Sequence, residues 1–240
     1  MKLKPTRRHL VLLPGLDGTG SLFAPLLSVL PEDFIPVVIT YPKDKVLYYE
    51  QLFPYIREVF PWGKPYILLA ESFAGPMALK FAAQQHENID AIVLCSAFFS
   101  KIAAPAASWT SFFTKEKWFE NATPDSAVKQ LVTGGVCEPS LLAAIKSAIS
   151  SVKPEVLSHR IRLMFETDVT AALKEVRAPI LCLSGSQDKL GSDKAMQTLL
   201  TIKPDAASVM LDTSHLVLQT KPREAIEAIQ KFLEKIPAAS

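Results

Sequence analysis

A serine on a predicted strand-to-helix turn is the first candidate for chemistry in this sequence. Ser72 lies between the apolar run Tyr66–Ala70 and a helical pattern, with Ala70 and Ala74 two residues to either side. A sharp turn of this kind has a tight backbone, so it needs small residues at those two positions. The N-terminus of the following helix supplies backbone N–H groups and positive potential where a negative oxygen would form. The pattern predicts a nucleophilic serine, although a serine that only caps the helix would show the same local sequence.

Two later loops supply a histidine and an acid. Asp188 follows the fifth of six short apolar runs, and His215 follows the sixth run and precedes the last helical pattern. Of the four histidines only His215 has this placement, since His86 and His159 lie in polar, helical stretches and are expected at the surface. A serine activated by an imidazole that an acid orients can attack a carbonyl carbon. We predict that Ser72, His215 and Asp188 form such a triad, although each residue alone also fits an ordinary turn or structural role.

Two other acids lie close to Asp188 and His215 along the chain. Asp193 stands past Gly191 at the start of a predicted helix, where an acid is an ordinary first-turn residue. Asp212 is so near His215 in sequence that it cannot easily face the imidazole across a site. We therefore predict that Asp188 is the acid of the triad.

The loops that carry these residues must be positioned by the six apolar runs, which we interpret as strands. The runs are His9–Leu13, Pro36–Thr40, Tyr66–Ala70, Ala91–Cys95, Ile180–Leu183 and Ser208–Leu211. They are continuously apolar, as strands buried on both faces of a sheet are, and helical patterns separate them. This alternation predicts a doubly wound, mostly parallel α/β sheet. Among the helices, Val46–Phe60 contains Pro54, which should bend or split it, and Thr220 should cap the last helix, which begins at Pro222.

The alternation of strands and helices stops between the fourth and fifth runs, where only helical fragments are predicted. We divide the chain into an α/β core, residues 1–97 and 178–240, and a helical lid insertion, residues 98–177. An insertion at the carboxyl end of a strand lies over the edge at which open α/β sheets bind ligands. Clustered aromatic side chains in the insertion can line an apolar acyl pocket or only pack inside the lid. The predicted substrate-binding residues are Trp109, Phe112 and Phe113.

Composition narrows the class of function. The net charge is +2, so charge gives no reason to expect a nucleic acid or an anionic lipid as partner. No apolar stretch is long enough to span a membrane. Three cysteines, two of them inside predicted strands, indicate neither a disulfide framework nor a zinc site. We expect a cytoplasmic protein that binds no metal.

The sequence resembles serine esterases of the α/β-hydrolase superfamily along nearly its whole length. The resemblance rests on the turn Ala70–Gly75, on the loop Pro14–Gly20, and on the order of Ser72, Asp188 and His215 after the third, fifth and sixth runs. It is greatest to small lidded carboxylesterases such as pimeloyl-carrier-protein methyl esterases. Larger members begin with an antiparallel strand pair for which this chain has no room. We therefore expect a six-stranded, all-parallel sheet.

The resemblance also implies an oxyanion hole and a reaction. The Pro14–Gly20 loop is similar to the family's oxyanion loop, with Pro14 in place of the usual histidine, and it implies Leu16 and Phe73 as backbone N–H donors. The implied reaction is cleavage of a small-molecule acyl ester or thioester through an acyl-enzyme on Ser72, without a cofactor. Acyl transfer to an alcohol or amine, or non-catalytic ligand binding on the same fold, stays open, as does the oligomeric state.

Overall fold

Six strands form one sheet at the centre of the protein. In this computed structural model the described residues are 7–84, 87–99, 119, 125, 129, 137–190 and 192–236. The strands are β1 Arg8–Leu13, β2 Phe34–Val38, β3 Tyr66–Glu71, β4 Ile89–Cys95, β5 Ile180–Gly185 and β6 Ala207–Leu211. Their order across the sheet is β2-β1-β3-β4-β5-β6, and every pairing is parallel. The predicted all-parallel, six-stranded α/β sheet is confirmed.

Helices cover both faces of the sheet. Numbered in chain order within the described residues, they are α1 Ala24–Leu27, α2 Tyr49–Val59, α3 Gly75–Ala83, α4 Pro139–Ser150, α5 Pro154–Glu166, α6 Thr170–Glu175, α7 Ser192–Ile202, α8 Val217–Thr220 and α9 Pro222–Leu233. Short 3-10 turns occupy Ser21–Phe23 and Ser72–Ala74. No helix in the described ranges has the length and apolarity that crossing a membrane requires.

Alternate residues of the central strands fill two separate cores. Leu68 and Ala70 of β3 pack with α2, α3, α6 and α7 on one face, whereas Ile67 and Leu69 pack with α1, α8 and α9 on the other. Because both faces are covered, the central strands carry continuous apolar runs, as predicted, and their few polar residues lie towards the strand ends. The prediction of two-sided burial is wrong for β6, which lies at the edge of the sheet and alternates between half-buried and exposed residues.

Two details of the predicted helices are also wrong. Helix α2 is not split at Pro54, because Pro54 and Glu50 are exposed and water can hydrate the Glu50 carbonyl that proline leaves without a donor. Helix α9 begins at Pro222 as predicted, but Thr220 does not cap it. Thr220 ends α8 instead, and its hydroxyl donates to the carbonyl of Leu216.

In the described residues between β4 and β5 the regular secondary structure is helical and includes no strand. Apolar residues of α4 pack with Leu22 and Leu216, and those of α5 pack with Leu16 and Phe119. Helix α6 contacts α3 of the core. His159 on α5 is buried, not at the surface as predicted, because its ring packs edge-on against Tyr48 at a centroid distance of 4.9 Å.

Candidate active site

Ser72 lies on a strained turn at the carboxyl end of β3. Its φ of 48° is in the left-handed region that residues other than glycine rarely adopt. The turn leads directly into α3, whose first residue is Gly75. A Cβ atom at Gly75 would lie 2.5 Å from the carbonyl oxygen of Phe98, so only glycine allows α3 to begin this close to the chain that leaves β4. The strand, the turn and this close approach together fix the position of the serine hydroxyl.

His215 lies between Ser72 and Asp188 and is hydrogen-bonded to both. Its Nε2 is 2.9 Å from the Ser72 Oγ, and its Nδ1 is 2.8 Å from the Asp188 Oδ2. A carboxylate only accepts, so Nδ1–H donates to Asp188 and Nε2 is left to accept the proton of the serine hydroxyl. The N–H of Leu190 donates to the other Asp188 oxygen at 2.8 Å. The structure therefore brings the three predicted residues together, from the loops after β3, β5 and β6.

The two neighbouring acids have different placements. Asp212 accepts hydrogen bonds from the Ser186 hydroxyl at 3.2 Å and the Gln187 amide at 2.9 Å, on the loop after β5. Its carboxylate is thus held away from the imidazole of His215. The side chain of Asp193 lies outside the part of the chain that the structure describes.

The environment of His215 is buried and negatively charged. Burial by itself lowers the pKa of His215, but the charge and hydrogen bond of Asp188 outweigh burial and raise it above 6.5, with a further contribution from Glu71. The ring of Phe98 stacks against the imidazole, with centroids 5.9 Å apart and planes inclined by 21°. Asp188 and Phe98 thus hold the ring in place, while Asp188 and Glu71 increase its affinity for a proton.

Glu71 is a site residue that the sequence reasoning missed. It immediately precedes Ser72, is only 4% exposed, and its Oε1 accepts a hydrogen bond of 2.9 Å from the Gln219 amide. Burial raises the pKa of Glu71 to about 7, against the opposing effect of the Gln219 hydrogen bond. The signal in the sequence was an acidic residue at the end of an otherwise apolar strand.

The predicted oxyanion loop follows β1 and lies directly beside the serine. A Cβ atom at Gly15 would be 3.8 Å from the Ser72 Cβ. Within the loop, Asp17 Oδ2 accepts the N–H of Thr19 at 2.8 Å. Leu16 follows Gly15 on this loop and Phe73 follows Ser72 on the turn, so both residues that carry the predicted donors are next in sequence to this contact.

Apolar side chains also border the site, beside both Leu16 and Leu216. Leu16 packs against Val156 and Leu157 of α5, and Leu216, next to the catalytic candidate His215, packs against α4. The three predicted pocket residues, Trp109, Phe112 and Phe113, lie outside the described residues. No group of acidic, histidine and cysteine residues able to hold a metal ion occurs in the described ranges.

Comparison with known proteins adds a family and one curated relative. The family model described as serine aminopeptidase, S33 matches residues 49–206. The biotin biosynthesis bifunctional protein BioHC of Cellvibrio japonicus (strain Ueda107) is 24% identical over 185 residues, which is 72% of this chain. The matched part is 36% of that protein, so the chain spans about a third of its length.

Solved structures share the whole fold at low sequence identity. The enol-lactonase of Burkholderia xenovorans LB400 has a TM-score of 0.79 and 17% identity, covering 95% of this chain and 92% of its own. A thermophilic esterase of Thermogutta terrifontis has a TM-score of 0.78 and 19% identity over 95% and 90% of the two chains. A bromoperoxidase of Bacillus anthracis has a TM-score of 0.82 and 16% identity over 95% and 92%. At these identities the likeness shows a shared fold.

Proposed function

This chain belongs to the serine aminopeptidase S33 family of α/β-hydrolases, and we propose that it is a carboxylic ester hydrolase with Ser72 as its nucleophile. The observation that carries the proposal is the chain of hydrogen bonds Ser72–His215–Asp188, with distances of 2.9 and 2.8 Å. A hydroxyl, an imidazole and a carboxylate in this order form the arrangement that activates a serine for attack on an acyl carbon.

The reaction proceeds in two steps through an acyl-enzyme. The Ser72 oxygen attacks the ester carbonyl while His215 Nε2 takes its proton, and Asp188 stabilises the imidazolium that forms. The N–H groups of Leu16 and Phe73 hold the negative oxygen of the tetrahedral intermediate. The intermediate collapses, the bond to the alcohol breaks, and His215 returns the proton to the leaving alkoxide. Water then attacks the acyl-serine by the same path, which releases the acid and restores Ser72.

The acyl group would bind between the sheet edge and the segment 98–177, which we propose is a lid. Support comes from α4 and α5 of this segment, whose apolar side chains pack beside Leu216 and Leu16 on two sides of the site. Trp109, Phe112 and Phe113 are proposed to complete the acyl pocket. The substrate is then a small acyl ester, or a thioester, and the chemistry needs no cofactor. Three unpaired thiols, Cys95, Cys137 and Cys182, support the proposal of a reducing, cytoplasmic location.

Turnover of p-nitrophenyl butyrate tests the proposal. Ser72→Ala should abolish hydrolysis while leaving the melting temperature within a few degrees of wild type. Ser96→Ala is the matched control, because Ser96 also lies at the end of a strand, with φ of 46°, but takes no part in the proposed triad. Turnover by Ser72→Ala equal to that of wild type would contradict the proposal.

The same assay separates the remaining alternatives. An amino acid p-nitroanilide, added in parallel, tests peptide-bond cleavage, which the description of the family names. A series of alcohols and amines tests acyl transfer, because an acceptor that competes with water yields a new ester or amide from the same acyl-enzyme. A folded wild-type protein that binds these esters without turnover would be a receptor and not an enzyme.

A further inference from the structure

We propose that Arg160, on helix α5, is a positioning residue that holds the oxyanion loop Pro14–Gly20 in its active conformation. The inference rests on the proposed function, because it concerns the loop that carries the Leu16 N–H. It adds a role for the segment between β4 and β5: beyond the proposed covering of the site, the segment holds the loop that carries one of the proposed oxyanion donors.

The guanidinium of Arg160 binds the oxyanion loop through the backbone. Its Nη1 donates to the carbonyl oxygens of Leu16, at 2.9 Å, and Asp17, at 2.8 Å. Its Nη2 donates to the carbonyl of Pro42, at 2.9 Å, on the segment that follows β2. Three carbonyls on two separate segments thus depend on one side chain, which is only 2% exposed. The carbonyl and the N–H of Leu16 belong to the two peptide planes that meet at its Cα, so holding the carbonyl restrains the chain on one side of the proposed donor.

The loop is shaped to admit this side chain. Gly18 has a φ of +68°, and a Cβ atom there would lie 2.7 Å from Arg160 Nη1 and 2.6 Å from Tyr41 Cδ2. Any side chain at position 18 would therefore push the guanidinium or the Tyr41 ring out of place. The N–H of Tyr41 donates to the Gly18 carbonyl at 2.8 Å, which closes the loop from the other side.

Arg160 also contacts the second proposed donor. Its guanidinium carbon is 5.9 Å from the centroid of the Phe73 ring and 5.5 Å from that of Tyr41, both within the range of cation–π attraction. Helix α5 packs against the Ser72–Ala74 turn. One cation is therefore in contact with the residues that carry both proposed oxyanion donors, Leu16 and Phe73.

Stability alone does not explain a charge in this position. In the ranges that the structure describes, Arg160 has backbone carbonyls as partners and no carboxylate within ion-pair distance. Burial of a cation is costly, and apolar residues of similar volume often give an equally stable or more stable protein. A buried arginine that satisfies three loop carbonyls is better explained by the need to keep that loop in one conformation.

Arg160→Gln and Arg160→Lys test the proposal, with Arg162→Gln as the matched control. Arg162 lies on the same helix but is exposed. Reactive sites are counted by complete titration with a fluorophosphonate, and kcat and KM for p-nitrophenyl butyrate are then expressed per titrated site. We also measure inhibition by a trifluoromethyl ketone, whose adduct with serine carries a negative oxygen like that of the tetrahedral intermediate.

A positioning role predicts a specific pattern. For Arg160→Gln, kcat per titrated site should fall about 10- to 100-fold, as for a small misplacement of a reacting group, while KM changes about twofold or less. Inhibition by the ketone should weaken by a similar factor. Arg160→Lys should recover part of both losses, because an ammonium can bind some of the three carbonyls. Arg162→Gln should match wild type.

Two results would overturn the inference, and each differs from failure of the proposed function. In the first, Arg160→Gln has a lower melting temperature or fewer titratable sites, but its kcat per site and its inhibition by the ketone are unchanged. This would indicate that Arg160 has a purely structural role. In the second, Arg162→Gln loses as much kcat per titrated site as Arg160→Gln does. If Arg160→Gln does not fold, kcat per titrated site and ketone inhibition of Arg160→Lys test the inference in its place. Failure of the proposed function would instead appear as a wild-type protein without ester turnover.

Discussion

Three carboxyl groups near His215, in the fold or along the chain, differ in how they act on its imidazole. Asp188 is hydrogen-bonded to it, Glu71 acts on it through charge, and Asp212 is held by the loop after β5. The contribution of each carboxyl to catalysis should follow this order. Substitution of each by its amide therefore tests the site residue by residue.

Asp188→Asn should lower kcat for p-nitrophenyl butyrate by about 10³- to 10⁴-fold, because an amide in this position can favour the wrong imidazole tautomer. Asp212→Asn, the control, should stay within about threefold of wild type, since its carboxylate binds Ser186 and Gln187. Steady-state kinetics of both variants check this. A large loss in Asp212→Asn together with a small one in Asp188→Asn would move the acid of the triad to Asp212.

The pH dependence of kcat/KM should reflect the raised pKa of His215. The base must be neutral, so activity should rise with pH and reach half its maximum above pH 6.5. Glu71 titrates close to the same pH and its negative charge raises the pKa of His215, so the rise in activity should be broadened by the coupled pair.

Glu71→Gln removes the negative charge of Glu71 near His215, so the pH at which kcat/KM reaches half its maximum should fall. The new amide can also donate to the Gln219 Oε1, which is buried and has no hydrogen-bond partner in the described structure. Glu227→Gln, on the exposed face of α9, is the control and should leave the profile unchanged. An unshifted profile in Glu71→Gln would show that Glu71 does not influence the base.

Residues of the site were predictable when their signal was local. Ser72 directly follows β3, Asp188 and His215 lie in the loops just after β5 and β6, and the order of the three strands could be read along the chain. Arg160 could not be found in this way, because its partner Leu16 is 144 residues away and the contact exists only in the folded protein. Glu71 had a local signal, but its burial exists only in the folded protein, and burial is what raises its pKa against the lowering effects of Gln219 and His215.

At the scale of elements, helix α2 tolerates a proline in its interior. Pro54→Ala restores an N–H that can donate to the Glu50 carbonyl, and should raise the free energy of unfolding by about 1–2 kcal/mol after the gain in unfolded-chain entropy is subtracted. Urea denaturation measures the change. Glu58→Ala, also exposed on α2, is the control and should change stability by about 0.5 kcal/mol or less. A lower free energy of unfolding in Pro54→Ala than in wild type would mean that proline stabilises this helix more than alanine does.

All six strands were predictable as elements, whereas the first and last residues of the strands and the partial exposure of the edge strands were not. Strands β1, β3, β4 and β5 are buried on both faces, so their apolar runs are continuous. Strand β2 begins at Phe34, two residues before the predicted start. It lies at the edge of the sheet, where a strand needs apolar residues on one face only, so a continuous apolar run does not mark where it begins.

At the scale of the whole molecule, the proposed lid should select substrates by acyl length. Each buried methylene contributes about 0.8 kcal/mol, or about fourfold in kcat/KM, until the pocket is full. Efficiency should therefore rise from p-nitrophenyl acetate to medium-chain esters and then fall. Trp109→Ala and Phe113→Ala should flatten this profile while retaining most acetate hydrolysis.

The control for the length profile is Trp62→Ala, since Trp62 is 53% exposed, follows α2, and is remote in sequence from segment 98–177. It should keep the wild-type profile. Efficiency that falls steadily from acetate onward, or wild-type profiles in both aromatic variants, would assign those aromatic residues to packing inside the lid.

The most direct test of a nucleophilic Ser72 is the site of covalent labelling. A fluorophosphonate should phosphonylate wild-type protein at one residue, and peptide mass spectrometry should place the added mass on Ser72. The Ser72→Ala variant should stay unlabelled, and prior incubation with an ester substrate should slow labelling of wild type. Labelling of another residue in wild type, or labelling of Ser72→Ala at the wild-type rate, would contradict the account.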